Sequence, residues 1–370
     1  MGKAQGFGVK ILYISNAGEV TGWGDSSYWR VRGMVESGLN VYHKGITFGA
    51  PRRECVILED LESKSSKDYD VVIQETLPHL YSKMRDVKHI GAYHTEGSFY
   101  KSMWHKYINL MDEAWVPSES SHRDSCVSGV KYPIKIVPVP IDYESCKNLV
   151  KTAFMEGIND GFNFCFVGEF IKRKNLRALL TAFHLEFHPS ENVNLFLKLH
   201  RSGLTSDECL KLFNVLDQDV VTGLKIKGRS HRIFTMCGHE PKNNLLSLMS
   251  QCHCFVNPAY GDSWNIPALE AMALGLNVIY NKNIGTADFA NHPHCYPVIS
   301  SPVNCFGAVE SLPQLYSGHD YWYSIDVDAL RSAMRDAYIN RNNIDRESIR
   351  NHASKYDYKK IGEEICKIIK

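Results

Sequence analysis

Gly261–Gly275 reads GDSWNIPALEAMALG, with apolar HCFVN (His253–Asn257) before it and LNVIY (Leu276–Tyr280) after it. The local order is strand, loop, short helix, strand. In an open α/β sheet, a polar loop after a strand lies on the edge where ligands bind. Pro267 suits a first helical position, because its missing N–H would be unpaired there anyway. Gly275 suits the helix end. The segment sets two carboxylates, Asp262 and Glu270, eight positions apart. Glu270 then falls in the first helical turn, where the helix dipole favours an acid. Asp262 falls in the loop, near the backbone amides of Ser263, Trp264 and Asn265. Carboxylates accept hydrogen bonds from vicinal hydroxyls, and amides donate to sugar or phosphate oxygens. The pair therefore fits a polyhydroxylated ligand. It equally fits one acid shaping a turn and another steadying a helix start.

Outward from this segment, the same alternation runs along the chain. VKILYIS (Val9–Ser15) is a buried-strand run, followed by the glycine-bearing loop NAGEVTGWGDSS (Asn16–Ser27). Ser26 or Ser27 caps a helix that Gly38 ends. YDVVIQE, HIGAYHTEG, EAWVPSE and IKIVPVPID supply further strands. Asp142–Gly161 is less apolar and reads as a connection. The pattern restarts with FNFCFVGEF (Phe162–Phe170), then NVNLFLKLH, IFTMCGH, HCFVNP and LNVIYN. Alternating β and α elements predict a mostly parallel sheet with helices on both faces. Tyr358, Ile361, Ile365 and Ile368 predict a final amphipathic helix.

Length and composition narrow the class. The 370 residues are 44% hydrophobic, enough for two domains with their own cores. The 42 basic and 41 acidic residues give no support for non-specific polyanion binding, which shows as a basic excess. Eleven scattered cysteines without a CxxC pair read as reduced thiols in a cytoplasmic protein. The amino terminus lacks the long apolar run of a secretory signal, and Gly6 stands where a myristoylation signal needs Ser or Thr. No run of about 18 apolar residues predicts a membrane span. Cys252-His253-Cys254 lacks a second ligand pair at zinc-site spacing and reads as buried thiols, so no metal site is expected.

Three further segments join the first. Val167–Phe183, VGEFIKRKNLRALLTAF, ends a strand in Val-Gly and places three cations, Lys172–Arg173–Lys174, before a helix. Cations there oppose the dipole, so either an anion sits nearby or the run is simply solvated. Gly238–His239–Glu240 opens a loop before another short helix. In the first half, Gly22-Trp23-Gly24 follows the first strand, and His94 and Glu96 lie at a strand end as ligand groups or as a polar rim.

Together these segments resemble the retaining glycosyltransferases of family 4, which have the GT-B fold: two Rossmann-like α/β domains facing each other across a cleft. Gly261–Gly275 resembles the family's E-x7-E motif, with Asp262 in place of the first glutamate and Trp264, Pro267 and Leu269–Ala273 fitting. The resemblance implies that Glu270 binds the donor ribose, while Asp262 with the amides of Ser263, Trp264 and Asn265 holds the donor sugar. It implies that Lys174 contacts the donor diphosphate, where a cation stabilises developing charge. Glu169 stands where the family's arginine is usual, and Arg173 compensates if its side chain turns inward. Gly238 and His239 are implied base contacts, Gly22 and Gly24 phosphate or acceptor contacts, and His94 and Glu96 neighbours of the donor sugar. The implied reaction is metal-independent transfer of a hexose-type sugar, with retention, from a UDP- or GDP-linked donor to a glycan, lipid or small-molecule hydroxyl. The donor is a substrate, and no cofactor is implied. A modified base in DNA is a less favoured acceptor, and a non-catalytic nucleotide-sugar-binding protein is the other alternative. The implied domains are 1–155 on the acceptor side, 156–350 on the donor side, and a helix in 351–370 returning to the first.

Overall fold

The computed structural model describes residues 8–66, 68–98, 103–131, 133–154, 161–226, 232–305 and 319–370. The chain divides into two compact units, Met1–Asp142 with Lys355–Lys370, and Tyr143–Ser354. The boundary expected at 155–156 lies outside the described residues. Just before it, Thr152 and Ala153 already bond to the second unit: the Thr152 amide donates to Ser247 Oγ (2.9 Å), and Gln251 Nε2 donates to the Ala153 carbonyl (3.0 Å). The amino-terminal segment on which the signal and acylation readings rest also lies outside the described residues.

In the first unit the strands are β1 (Lys10–Ser15), β2 (Asn40–Gly45), β3 (Val71–Glu75), β4 (Lys88–Ala92), β5 (Glu113–Val116) and β6 (Ile134–Ile136). They pair in parallel in the order β2-β1-β3-β4-β5-β6. β6 is shorter than its apolar run because Pro138 and Pro140 carry no N–H for a ladder. Helices α1 (Gly22–Glu36), α2 (Val56–Ser63), α3 (Trp104–Ile108) and α4 (Glu119–Val127) connect the strands.

α1 begins five or six residues earlier than the serine caps predict. Thr21 is its N-cap and accepts from the Gly24 amide at 2.9 Å. Gly22, Trp23 and Gly24 therefore form the first helical turn, not a loop. A Cβ on Gly24 would stand 2.0 Å from the Glu19 carbonyl oxygen, so only glycine lets the helix start this close to the preceding loop.

The second unit has β7 (Phe162–Glu169), β8 (Val193–His200), β9 (Arg232–Cys237), β10 (Cys254–Asn257), β11 (Asn277–Asn281) and β12 (Tyr296–Val298). Their order is β12-β11-β10-β7-β8-β9, again parallel. An antiparallel pair, β13 (Ser300–Asn304) with β14 (Tyr321–Ile325), stands apart. The helices are α5 (Tyr143–Lys147), α6 (Leu176–Glu186), α7 (Ser206–Gly223), α8 (Lys242–Met249), α9 (Ile266–Ala273), α10 (Thr286–Ala290), α11 (Val327–Ile339) and α12 (Arg346–Ala353). Phe164, Phe166, Leu179, Phe183, Leu195, Leu197, Val256 and Met334 fill the core between sheet and helices. No described helix is long and apolar enough to cross a membrane.

The last helix, α13 (Tyr358–Ile369), belongs to the first unit and packs along α1. Ile361 and Ile365 join the core of Ile11, Val31, Met34 and Ile73. The two helices meet glycine on glycine. A Cβ on Gly33 would stand 2.2 Å from the Tyr358 carbonyl oxygen, and one on Gly362 would stand 2.2 Å from that of Gly33.

Candidate functional site

Strand order decides which loops meet. In the second unit the first strand, β7, lies between β8 and β10, so connections leave it in opposite directions. Such a switch point opens a crevice at the carboxyl ends of the strands. The segment after β7 carries Arg173 and Lys174, and the segment after β10 carries Asp262.

The three side chains converge. Lys174 Nζ and Arg173 Nη1 both donate to Asp262 Oδ1, at 2.5 and 2.8 Å. The other carboxylate oxygen, Oδ2, accepts from Asn265 Nδ2 at 2.8 Å and Asn257 Nδ2 at 3.2 Å. Burial pushes the Asp262 carboxyl up, but Lys174, Arg173 and Asn265 more than reverse this and hold it below the usual carboxylate range. Arg173 is turned inward, anchored also on the Gly261 carbonyl at 2.8 Å. Residues Lys172–Lys174 form a short 3-10 turn of their own, and α6 starts only at Leu176. The run is thus neither a helix N-terminus nor freely solvated, because two of its three cations are clamped on one carboxylate.

Glu270 does not sit in the first helical turn. α9 begins at Ile266, which makes Pro267 its second residue and Glu270 its fifth. The helix start is instead capped by Asn265, whose Oδ1 accepts from the Ala268 amide at 3.0 Å. Capping therefore does not require Glu270. The carboxylate is 3% exposed, and Oε1 lies 2.5 Å from Lys242 Nζ at the start of α8. Ser263 is buried, and Trp264 is buried against Phe289 with ring centroids 5.0 Å apart.

Gly238 adopts φ 105°, and its carbonyl accepts from Lys198 Nζ of β8. The His239 ring lies 5.5 Å from that of His200. Burial lowers both the Lys198 ammonium and the His200 imidazole, with Glu240 and Glu169 respectively opposing the shift. The sequence reading did not single out Lys198 or Lys242. A lone lysine inside the apolar run NVNLFLKLH was the available signal for Lys198.

In the first unit the reversal lies between β1 and β3. His94, just past β4, faces this point. Its ring lies 5.7 Å from that of Trp23 in the first turn of α1, so His94 meets the Gly22–Gly24 segment. Glu96 is half-buried two residues further on. Behind His94 is a buried network that the sequence reading missed. Glu75, the last residue of β3, accepts on Oε1 from Arg30 Nη1 (2.6 Å) and Ser26 Oγ (2.9 Å), with His94 Nε2 3.2 Å away. Tyr13 donates to its Oε2. Burial pushes the Glu75 carboxyl up, but Arg30, His94 and Tyr13 bring it down to about 2. Thr76 and Thr95, which follow Glu75 and His94, are buried hydroxyl residues at the same edge.

These two doubly wound sheets and their site-bearing edges define a protein of the GT-B fold. Residues 161–300, the core of the second unit, match the family described as glycosyl transferases group 1. The match spans 140 of the 370 residues and takes in Arg173, Lys174, Asp262 and Glu270. The whole chain is similar in fold to sucrose-phosphate synthase from Thermosynechococcus elongatus (14% identity, 98% of both chains, TM-score 0.62). It is likewise similar to an α,α-trehalose-phosphate synthase (UDP-forming) from Burkholderia xenovorans, solved with glucose-6-phosphate (10% identity, 98% of this chain and 100% of that one, TM-score 0.66). A third is HepE of Anabaena, solved with UDP (12% identity, 98% and 99%, TM-score 0.61). No curated protein sequence matches the chain.

Proposed function

We propose that this protein transfers a hexose-type sugar from a nucleotide diphosphate sugar to a hydroxyl acceptor, with retention of anomeric configuration. The observation that carries the proposal is the convergence of Lys174 and Arg173 on Asp262 at the switch point of the region that matches the group 1 glycosyl transferases. Two cations held at one strand edge suit the diphosphate of a donor, where negative charge grows as the glycosidic bond breaks. Glu270 then binds the donor ribose, sharing its carboxylate with Lys242. Gly238 and His239 border the base.

In this reading Asp262 acts first on the cations. Its carboxylate is held by Lys174, Arg173, Asn257 and Asn265. An aspartate, one methylene shorter than the family's glutamate, keeps the carboxylate back among those partners. Arg173 takes over the charge that an arginine in place of Glu169 would bring. The departing phosphate oxygen deprotonates the acceptor on the same face of the sugar, so the protein positions groups and stabilises charge without a covalent intermediate. Lys174 and Arg173 carry the charge that a metal ion carries in other transferases. The eleven cysteines are in the thiol form, consistent with a reducing cytoplasm. The acceptor is proposed to be a glycan, lipid or small molecule rather than DNA, since the net charge of +1 offers no general attraction to a polyanion.

Thermal shift against UDP-, GDP- and ADP-sugars tests the donor. UDP is the first to try, because HepE was solved with it. A donor at 100 times Kd stabilises by roughly 2.7 kcal/mol. Release of nucleoside diphosphate from the donor that binds separates a transferase from a binding protein. No shift with any sugar nucleotide at millimolar concentration would sink the proposal.

A further inference from the structure

The end of β8 acts as a template for the loop that follows β9. Lys198, Leu199 and His200 are its last three residues, and each meets Gly238 or His239. Lys198 Nζ donates to the Gly238 carbonyl. The Gly238 amide donates to the Leu199 carbonyl at 3.0 Å. The His200 ring lies 5.5 Å from that of His239. A third wall comes from α7: a Cβ on Gly238, whose φ is 105°, would stand 2.4 Å from Ser206 Oγ. Both polar groups of Gly238 are therefore taken up by consecutive residues of one strand. Among the described residues, no group accepts from the next two amides, those of His239 and Glu240. Lys198 is 4% exposed, and an apolar side chain would fill such a strand position without the cost of taking a charge out of water. The bond to Gly238, with Glu240 nearby, offsets that cost.

We propose that Lys198 is a positioning residue for donor recognition: with Leu199 it locks the Gly238 peptide, so that the amides of His239 and Glu240 are held in place to donate to the donor's nucleobase. Gly238 has no amide proton left for the base, since Leu199 takes it. Recognition then falls to two main-chain donors whose position depends on β8. An amide fixed before binding costs less to order than one on a free loop, so the lock raises affinity. Amides donate and never accept, so the lock also discriminates between bases by where they carry acceptor atoms. The inference rests on the reading that residues 238–240 border the donor base.

The test uses the full chain and two measurements. Lys198→Met removes the ammonium at nearly constant volume. In protein labelled with 15N-glycine, hydrogen exchange at the Gly238 amide should be about tenfold faster in this variant, with Gly168 of β7 unchanged. Gly238→Ala assigns the signal by its loss. Equal exchange at Gly238 in variant and wild type overturns the inference. So does an equal acceleration at Gly168, which would make Lys198 a support for the whole sheet. Calorimetric titration with UDP, GDP and ADP supplies the second arm. Wild type should prefer one of them. Lys198→Met should weaken that one about tenfold, the scale of one lost hydrogen bond, and change the other two by less than about threefold. A uniform loss for all three overturns the inference, because Lys198 would then act on the shared ribose or diphosphate. Unchanged affinities in the variant, or a wild type without preference, overturn it as well. In a Gly238→Ala background Lys198→Met should have no further effect, and an additive loss would place Lys198 on the nucleotide itself and overturn its positioning role. Binding of none of the three overturns instead the nucleotide reading on which the inference rests.

Discussion

Lys174 Nζ lies 2.5 Å from Asp262 Oδ1, although 88 residues separate them along the chain. The pair exists because β7 and β10 are neighbours and both residues follow the carboxyl ends of those strands. If Lys174 stabilises the leaving diphosphate, Lys174→Ala lowers kcat by about 10²-fold or more with a smaller change in donor KM. Steady-state kinetics with the donor identified by thermal shift check this, and wild-type kcat would remove the assignment.

Asp262 also carries a stability prediction with a sign in pH. Its folded carboxyl is held below its ordinary value, so the stabilisation is present above about pH 4 and fades as pH falls through the folded pKa. Asp262→Asn leaves Arg173 and Lys174 without their carboxylate and should cost about 3 kcal/mol at pH 7. The gap to wild type should narrow below pH 4 in urea titrations. Asp262→Glu should also destabilise, by about 1–3 kcal/mol, since the added methylene must enter a packed cluster. A gap that stays constant down to pH 3 would show that the charge is not what matters.

Glu270→Ala should raise donor KM about tenfold or more while kcat stays within about threefold, the pattern of lost ground-state binding. Lys242 provides the control. If its role is only to neutralise Glu270 in the absence of donor, Lys242→Ala leaves donor KM unchanged or lowers it. A rise in KM matching that of Glu270→Ala would instead place Lys242 on the donor.

Gly33 and Gly362 should tolerate no side chain. Either change to alanine pushes a methyl against backbone of the facing helix at about 2.2 Å, so α1 and α13 must separate. A loss of about 3 kcal/mol is expected, at the upper end for overpacking. Urea unfolding gives the magnitude, and faster proteolysis near Tyr358 would show that α13 is what detaches.

Asp124 is 3% exposed in α4, and burial raises its carboxyl to about 6 against the opposing pull of Arg123. The folded value lies above the unfolded one, so the native state binds the proton more tightly and stability falls as pH rises from about 4 to 6. The cost at pH 7 is up to about 3 kcal/mol from a difference of roughly two pKa units. Asp124→Asn should raise Tm at pH 7.5 and leave it unchanged at pH 4, as calorimetry at the two pH values would record. Equal Tm values at both would refute the burial effect.

Features carried by neighbouring residues were readable in the sequence. The apolar runs became strands because burial on both faces selects them. Gly275 ends α9 with φ 86°, and Thr21, unlike the expected serines, caps α1 only because Gly24 lets the turn close on Glu19. The acid at position 270 was visible, but its place one turn into the helix depends on where Asn265 starts it.

What the sequence by itself determined, then, is the α/β alternation, the loop–helix segment with its two acids, and the cationic run before α6. Each of these follows from side chains within a turn or two of one another. Only the tertiary structure decided that Arg173 turns inward, that both cations share Asp262, and that Glu75 gathers Arg30, Tyr13, Ser26 and His94. Those contacts follow from strand order, which no local pattern encodes. A charge becomes buried only when partners from distant segments arrive together to offset its desolvation.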